Sequence, residues 1–60
     1  MPLNQYRVNQ AKKSLLQGNN VTEACFESGF TNLSYFNKTF NKYAKENPLH
    51  FKKRYSHPLN

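Results

Sequence analysis

Sixty residues carrying nine Lys plus Arg against three acidic side chains have a formal net charge of +6 and a pI of about 9.8. That length allows one small domain, burying only about 60% of the surface its unfolded form exposes, and the charge favours a polyanionic partner. No apolar run is long enough to span a bilayer, and Met1 to Gln5 lack the charged and apolar regions of a secretory signal. A lone Cys25 forms no internal disulfide, and with His50 and His57 it lacks the paired close ligands of a zinc site. These points predict a cytoplasmic chain in a reducing compartment, with no membrane partner and no cofactor.

The charge is unevenly spread. Residues 1–37 hold three basic and two acidic groups, whereas residues 38–60 hold six and one. A solvated basic surface kept for solubility would have the same composition, so the placement of the charges has to decide.

Taken in chain order, the punctuation marks four helices. Pro2 suits the opening of a first helix over about 3–17, with Val8, Ala11 and Leu15 on one face and Arg7 at its edge. Leu3 and Tyr6 point elsewhere, which hints at a second contact surface. Gly18 stops this helix, and Asn19 and Asn20 follow as a loop. Asn20 with Glu23 three residues later has the form of a capping box. It opens a short helix over 21–28 with Val21, Ala24, Cys25 and Ser28 on one face. Gly29 stands where a left-handed residue ends that helix, and Phe30 plugs the space beneath the turn.

Asn32 is placed to cap a third helix over 33–44, whose Phe36, Phe40 and Tyr43 recur at the spacing of a buried stripe. Asn47 and Pro48, a cap followed by a first-turn proline, open a fourth helix over 48–55. The tail Ser56 to Asn60 is expected to fray. No stretch alternates apolar and polar residues convincingly enough for a strand, so the fold class is all-α: a small four-helix, homeodomain-like bundle.

A short helix, a glycine turn and a longer helix form a helix-turn-helix, whose second helix enters the major groove of DNA. A small side chain at Cys25 lets the two helices cross closely, and Gly29 relieves the steric cost of a positive φ. On the third helix, Tyr35, Phe36, Thr39, Phe40 and Tyr43 share one arc, while Leu33, Ser34, Asn37, Lys38 and Asn41 share the opposite arc. The second arc has no acidic side chain to repel phosphate, and its amides both donate and accept at base edges. Asn37 is best centred for a base contact, with Asn32, Leu33 and Asn41 as further base-reading positions. Ser34 and Lys38 lie towards the side of the arc and suit phosphate, with Lys42 just beyond. The blander alternative makes Asn37 and Asn41 a solvated face. The acid-free arc beside the turn tips the balance towards DNA.

Phe36, Phe40 and Tyr43 are expected in the core and not as stacking platforms, Cys25 as a buried small residue, and His50 and His57 at the surface. Phe26 falls on the outward side of the second helix, as an interaction point or a locally buried aromatic. No nucleophile is paired with a base and no two carboxylates are paired, so the chain is not expected to be an enzyme.

With these residues in view, the chain resembles the second helix-turn-helix subdomain of AraC/XylS-type bacterial transcription regulators. The resemblance rests on Tyr6-Arg7, Ala11, Leu15-Leu16, Gly29-Phe30, Ser34-Tyr35-Phe36, Phe40 with Lys42-Tyr43, and Pro48 with Phe51-Lys52, across about residues 3 to 54. It implies sequence-specific binding of double-stranded DNA, with Leu33, Ser34, Asn37 and Lys38 facing the duplex. Lys38 stands where the family usually has arginine, which keeps the charge but loses the planar fork, so phosphate contact is favoured over guanine. Cys25 replaces the usual alanine, and Ala24 a larger aliphatic residue, which implies a thinner core contact. Lys45 stands at the usual glycine after the recognition helix, so a different helix ending is expected, and Asn47 replaces the usual threonine before proline.

Family members resemble two such units joined by a long helix. The chain is therefore expected to be part of a larger DNA-binding domain, with a companion helix-turn-helix or sensor domain, and RNA polymerase, as further partners. Leu3 and Tyr6 would lie where the other half packs. A protein-interaction module that makes no direct DNA contact is the alternative.

Overall fold

A computed structural model describes residues 3–55. The expectations for Pro2, His57 and the tail from Ser56 to Asn60 lie outside the described residues. Four helices follow in order, α1 (Leu3–Leu16), α2 (Val21–Glu27), α3 (Leu33–Ala44) and α4 (Pro48–Tyr55), with no strand among the described residues. The fold is a small all-α helix-turn-helix bundle. Each helix packs on each of the others, and α1 lies against α2 most extensively.

The helix ends follow from local chemistry. Asn20 accepts the Glu23 N–H at 2.8 Å while the Asn20 N–H donates to the Glu23 carboxylate at 3.0 Å, a complete capping box. Asn32 accepts the Tyr35 N–H at 2.8 Å and Asn47 the His50 N–H at 2.7 Å, so α3 and α4 are capped alike.

Both α1 and α2 stop one residue before the ends expected from sequence, because a glycine turn closes each. Gly18 at φ +102° and Gly29 at φ +95° take the left-handed region. The Gly18 and Asn19 N–H groups donate back to Leu15 and Ser14, and those of Gly29 and Phe30 to Phe26 and Cys25, at 3.1–3.2 Å. These paired bonds form the Schellman arrangement, which satisfies carbonyls that the helix leaves open.

Nine residues make the core: Val8, Ala11, Leu15, Ala24, Cys25, Phe30, Phe36, Phe40 and Phe51. Val21, Tyr43 and Ala44 pack against it partly buried, so Tyr43 borders the core. Phenylalanines run through it as a connected row, with ring centroids 5.1 Å apart for Phe30 and Phe36, 5.7 Å for Phe36 and Phe40, and 5.6 Å for Phe40 and Phe51. The row ties the turn to α3 and α3 to α4. Burying each ring contributes about 1.5–3 kcal/mol, which matters in a domain with so little interior.

Ala24 and Cys25 are fully buried, so α2 turns its small side chains into the core. Burial also pushes the Cys25 thiol pKa up, which suits an inert core residue. The buried polar groups are satisfied: the Ser28 hydroxyl donates to Ala24 O at 2.6 Å, and that of Ser14 donates to Glu27 at 3.0 Å.

Two expectations change. Tyr35, grouped with the buried arc from the helical wheel, is 48% exposed. It sits at the margin of the arc in the first turn of α3, where no helix covers the outer side of its ring. Lys45 does not alter the helix ending: although not glycine, it takes the left-handed conformation at φ 65°, ψ 20°. The cost is the approach of its Cβ to the carbonyl oxygen, about 1–2 kcal/mol.

Two stability predictions follow from this geometry. A methyl group at Gly18 would meet nothing within 4 Å, whereas one at Gly29 would stand 3.2 Å from Arg7 Nε. Gly29→Ala should cost about 1–3 kcal/mol and more than Gly18→Ala. Urea denaturation of both variants ranks them, and equal losses would remove Arg7 from the account. Lys45→Gly should instead stabilise the fold by about 0.5–1 kcal/mol, and a lower urea midpoint would contradict this.

Candidate nucleic-acid interface

The helix capped by Asn32 buries Phe36, Thr39 and Phe40 and turns its other side to solvent. Ser34, Asn37, Lys38, Asn41 and Lys42 are all exposed, and Leu33 is 37% exposed. Asn37 is not packed inside. The residues singled out from sequence therefore share one open surface, and Asn32 caps the helix as expected. The Asn32 side-chain oxygen is taken by the Tyr35 N–H, so Asn32 retains only its NH2 donors for an outside partner.

The arc has two flanks. Asn37 shares a shallow groove with Val21, Asn47 and Leu49, at the starts of α2 and α4. Ser34 and Lys38 line the opposite flank with Asn32 and Tyr35, and Lys38 and Lys42 continue it beside Asn4 of α1. Asn37 thus lies on one side of the arc, and the Ser34 hydroxyl with the Lys38 and Lys42 ammonium groups lies on the other. A hydroxyl and ammonium groups along one edge suit phosphate contact.

Tyr35 and Asn4 were not recognised in the sequence as part of this surface. Asn4 donates to the Tyr35 hydroxyl at 2.8 Å, a contact between residues 31 positions apart. No local pattern signals a bond of that span.

Electrostatics follow from where the acids go. Glu23 closes the α2 cap, and Glu27 accepts from Ser14 and Asn19. Glu46 accepts from His50 at 2.7 Å and also pairs with Arg54. α3 contains no acid, and no ion pair among the described residues involves Lys38 or Lys42. Lys42 Nζ lies 5.6 Å from the Tyr43 ring centroid.

Of the six basic residues in 38–60, Lys45 ends α3 and the other five divide between two places. Lys38 and Lys42 edge the arc, while Lys52, Lys53 and Arg54 fall in the last turn of α4, where cations offset the helix dipole.

Arg7 belongs to the turn. Its guanidinium lies 5.9 Å from the Phe30 ring centroid and beside Gly29, so α1 braces the connection between α2 and α3. His50 is exposed as expected, and Phe26 is an outward aromatic at 53% exposure, which settles its two readings in favour of exposure.

A short helix, a Schellman glycine, a plugging phenylalanine and an amphipathic helix with an open polar face define a helix-turn-helix domain. The family comparison agrees, since residues 2–54 match the family of helix-turn-helix domains of AraC type. The chain belongs to that family, whose members are DNA-binding domains of transcription regulators and not enzymes. A curated relative from Pseudoalteromonas carrageenovora, named as an uncharacterized HTH-type transcriptional regulator in the cgkA 5′ region, is 44% identical over 50 residues. The match covers 83% of this chain but only 30% of that protein, so the chain spans less than a third of the length of the relative. No solved structure matches the chain at a significant level.

The Glu46 cluster gives a pH prediction. Partial burial pushes the Glu46 carboxyl up, but hydrogen bonds and positive charge from Arg54 and His50 outweigh it and hold its pKa below the ordinary range. A depressed folded pKa stabilises the fold above the unfolded value and loses that effect as pH falls through the folded one. Glu46→Gln should therefore lower the melting temperature at neutral pH, and the gap from wild type should close as pH drops below about 4. Thermal melts across pH test this, and a gap independent of pH would contradict it.

Proposed function

We propose that this chain docks on double-stranded DNA with α3 in the major groove, as one module of a longer bacterial transcription regulator. The observation that carries the reading is the acid-free, solvent-open arc of α3 beside a braced helix-turn-helix. Asn37 sits at the centre for a base contact, where a carboxamide pairs well with adenine. Leu33 meets a thymine methyl, and Asn41 and the Asn32 NH2 reach neighbouring base edges. Ser34, Lys38 and Lys42 hold the phosphates, with lysine acting as a point charge.

The likeness to an HTH-type transcriptional regulator over three times as long as the aligned stretch supports a module that works with companion domains. In this reading the chain is the second helix-turn-helix of the regulator and works in the cytoplasm, with RNA polymerase as a further partner. No described helix is long and apolar enough to cross a membrane. Leu3 and Tyr6, 59% and 52% exposed on the first two turns of α1, offer an apolar face to the first helix-turn-helix unit. A module of this size makes few phosphate contacts and should bind weakly and with modest specificity on its own.

The two sets of residues predict different failures. Asn37→Ala should reduce discrimination at one base pair by about 1–3 kcal/mol, whereas Lys38→Ala should weaken binding to all sequences and reduce the salt slope by about one. Fluorescence anisotropy against duplexes varied one base pair at a time, at several salt concentrations, measures both. Unchanged affinity in both variants would reject α3 as the DNA-facing helix and favour a protein-interaction module.

A further inference from the structure

Two adjoining shallow grooves run along the flank of α3 that faces α1. Tyr35 and Lys38 line both, Ser34 belongs to one, and Asn4 and Lys42 belong to the other. Within this strip Tyr35 stands out. The residue is 48% exposed, and its ring packs against Phe30 with centroids 6.0 Å apart. Its hydroxyl accepts from Asn4 Nδ2 at 2.8 Å.

A phenol has one proton to give. Because the oxygen is accepting from Asn4, the Tyr35 O–H points away from that bond, and no side chain among the described residues receives it. The hydroxyl is thus an oriented, unused donor in a strip edged by Lys38 and Lys42, which are one helical turn apart and lack a carboxylate partner among the described residues. An oriented neutral donor lining the same strip as two ammonium groups fits an anionic oxygen.

We propose that Tyr35 donates a hydrogen bond to a phosphate of the DNA backbone and that Asn4 is the positioning residue that aims it. The proposal rests on the DNA reading above and extends the DNA-facing surface from α3 onto the first turn of α1. The strip continues directly into Ser34 and Lys38 at the edge of the base-facing arc, so the phosphodiester of a bound duplex is the anion that reaches it. A backbone contact carries no sequence information. Tyr35 therefore contributes affinity and sets the height at which α3 rides in the groove.

The test uses the full 60-residue chain and a fluorescent duplex of random sequence at low salt. Tyr35→Phe keeps the ring contact with Phe30 and removes only the donor. It should melt like wild type and bind every duplex about three- to tenfold more weakly. Its salt slope should stay unchanged, because no charge is lost. Asn4→Ala should weaken binding in the same direction but add nothing in the Tyr35→Phe background, the signature of two residues acting as one unit. Millimolar inorganic phosphate should not reproduce the salt-independent part of the loss, since the site takes a phosphate held by the duplex.

Wild-type affinity in Tyr35→Phe, while Lys38→Ala still weakens binding, overturns the tyrosine contact and leaves the DNA reading standing. A loss confined to particular base sequences also overturns it, because Tyr35 would then read bases. If the wild-type chain does not bind duplex at all, both readings fall together.

Discussion

The left-handed turn at Gly29 is the constraint on which the arrangement depends. It ends α2, and the paired bonds back to Phe26 and Cys25 hold the reversal. Phe30 is thereby delivered into the core, at the head of the row of phenylalanines that joins α3 to α4. Arg7 closes the turn from above, so the angle between α2 and α3 is set by three elements together. A different dihedral at this one residue would move the polar arc relative to everything that supports it.

A domain of this size has little interior to spare, and its residues are distributed accordingly. Large rings fill the space around α3, and the small residues Ala11, Ala24 and Cys25 complete the core. Caps on α2, α3 and α4 use asparagine in every case, three of the nine asparagines in the sequence. Each such cap is worth about 1 kcal/mol, a meaningful share of a small stability.

The electrostatic character of the open face comes from absence as much as from presence. All three carboxylates are engaged within the protein, in a cap, with Ser14 and Asn19, and with His50 and Arg54. The ammonium groups of Lys38 and Lys42 therefore meet no neighbouring acid that would neutralise them. Lysines in the last turn of α4 serve the helix end, so net charge by itself overstates how much of the molecule is directed at a polyanion.

Much of this was legible in the residues themselves. Helix starts follow from Asn20, Asn32 and Asn47, helix stops from Gly18 and Gly29, and the buried stripe from Phe36 and Phe40, because capping, positive φ and helical period act over four residues or fewer. The solvent-open polar arc of α3 followed from the same periodicity. Contacts between distant residues depend instead on how helices cross. Tyr35 lies outside the core because no helix covers its outer face, and its hydroxyl is fixed by Asn4 from the other end of the chain. Lys45 takes a conformation its own side chain disfavours, since α3 must stop there for Pro48 to open α4. Local chemistry determined the elements; only their packing decided which side chains share a surface, because that depends on distances in space that no sequence spacing encodes.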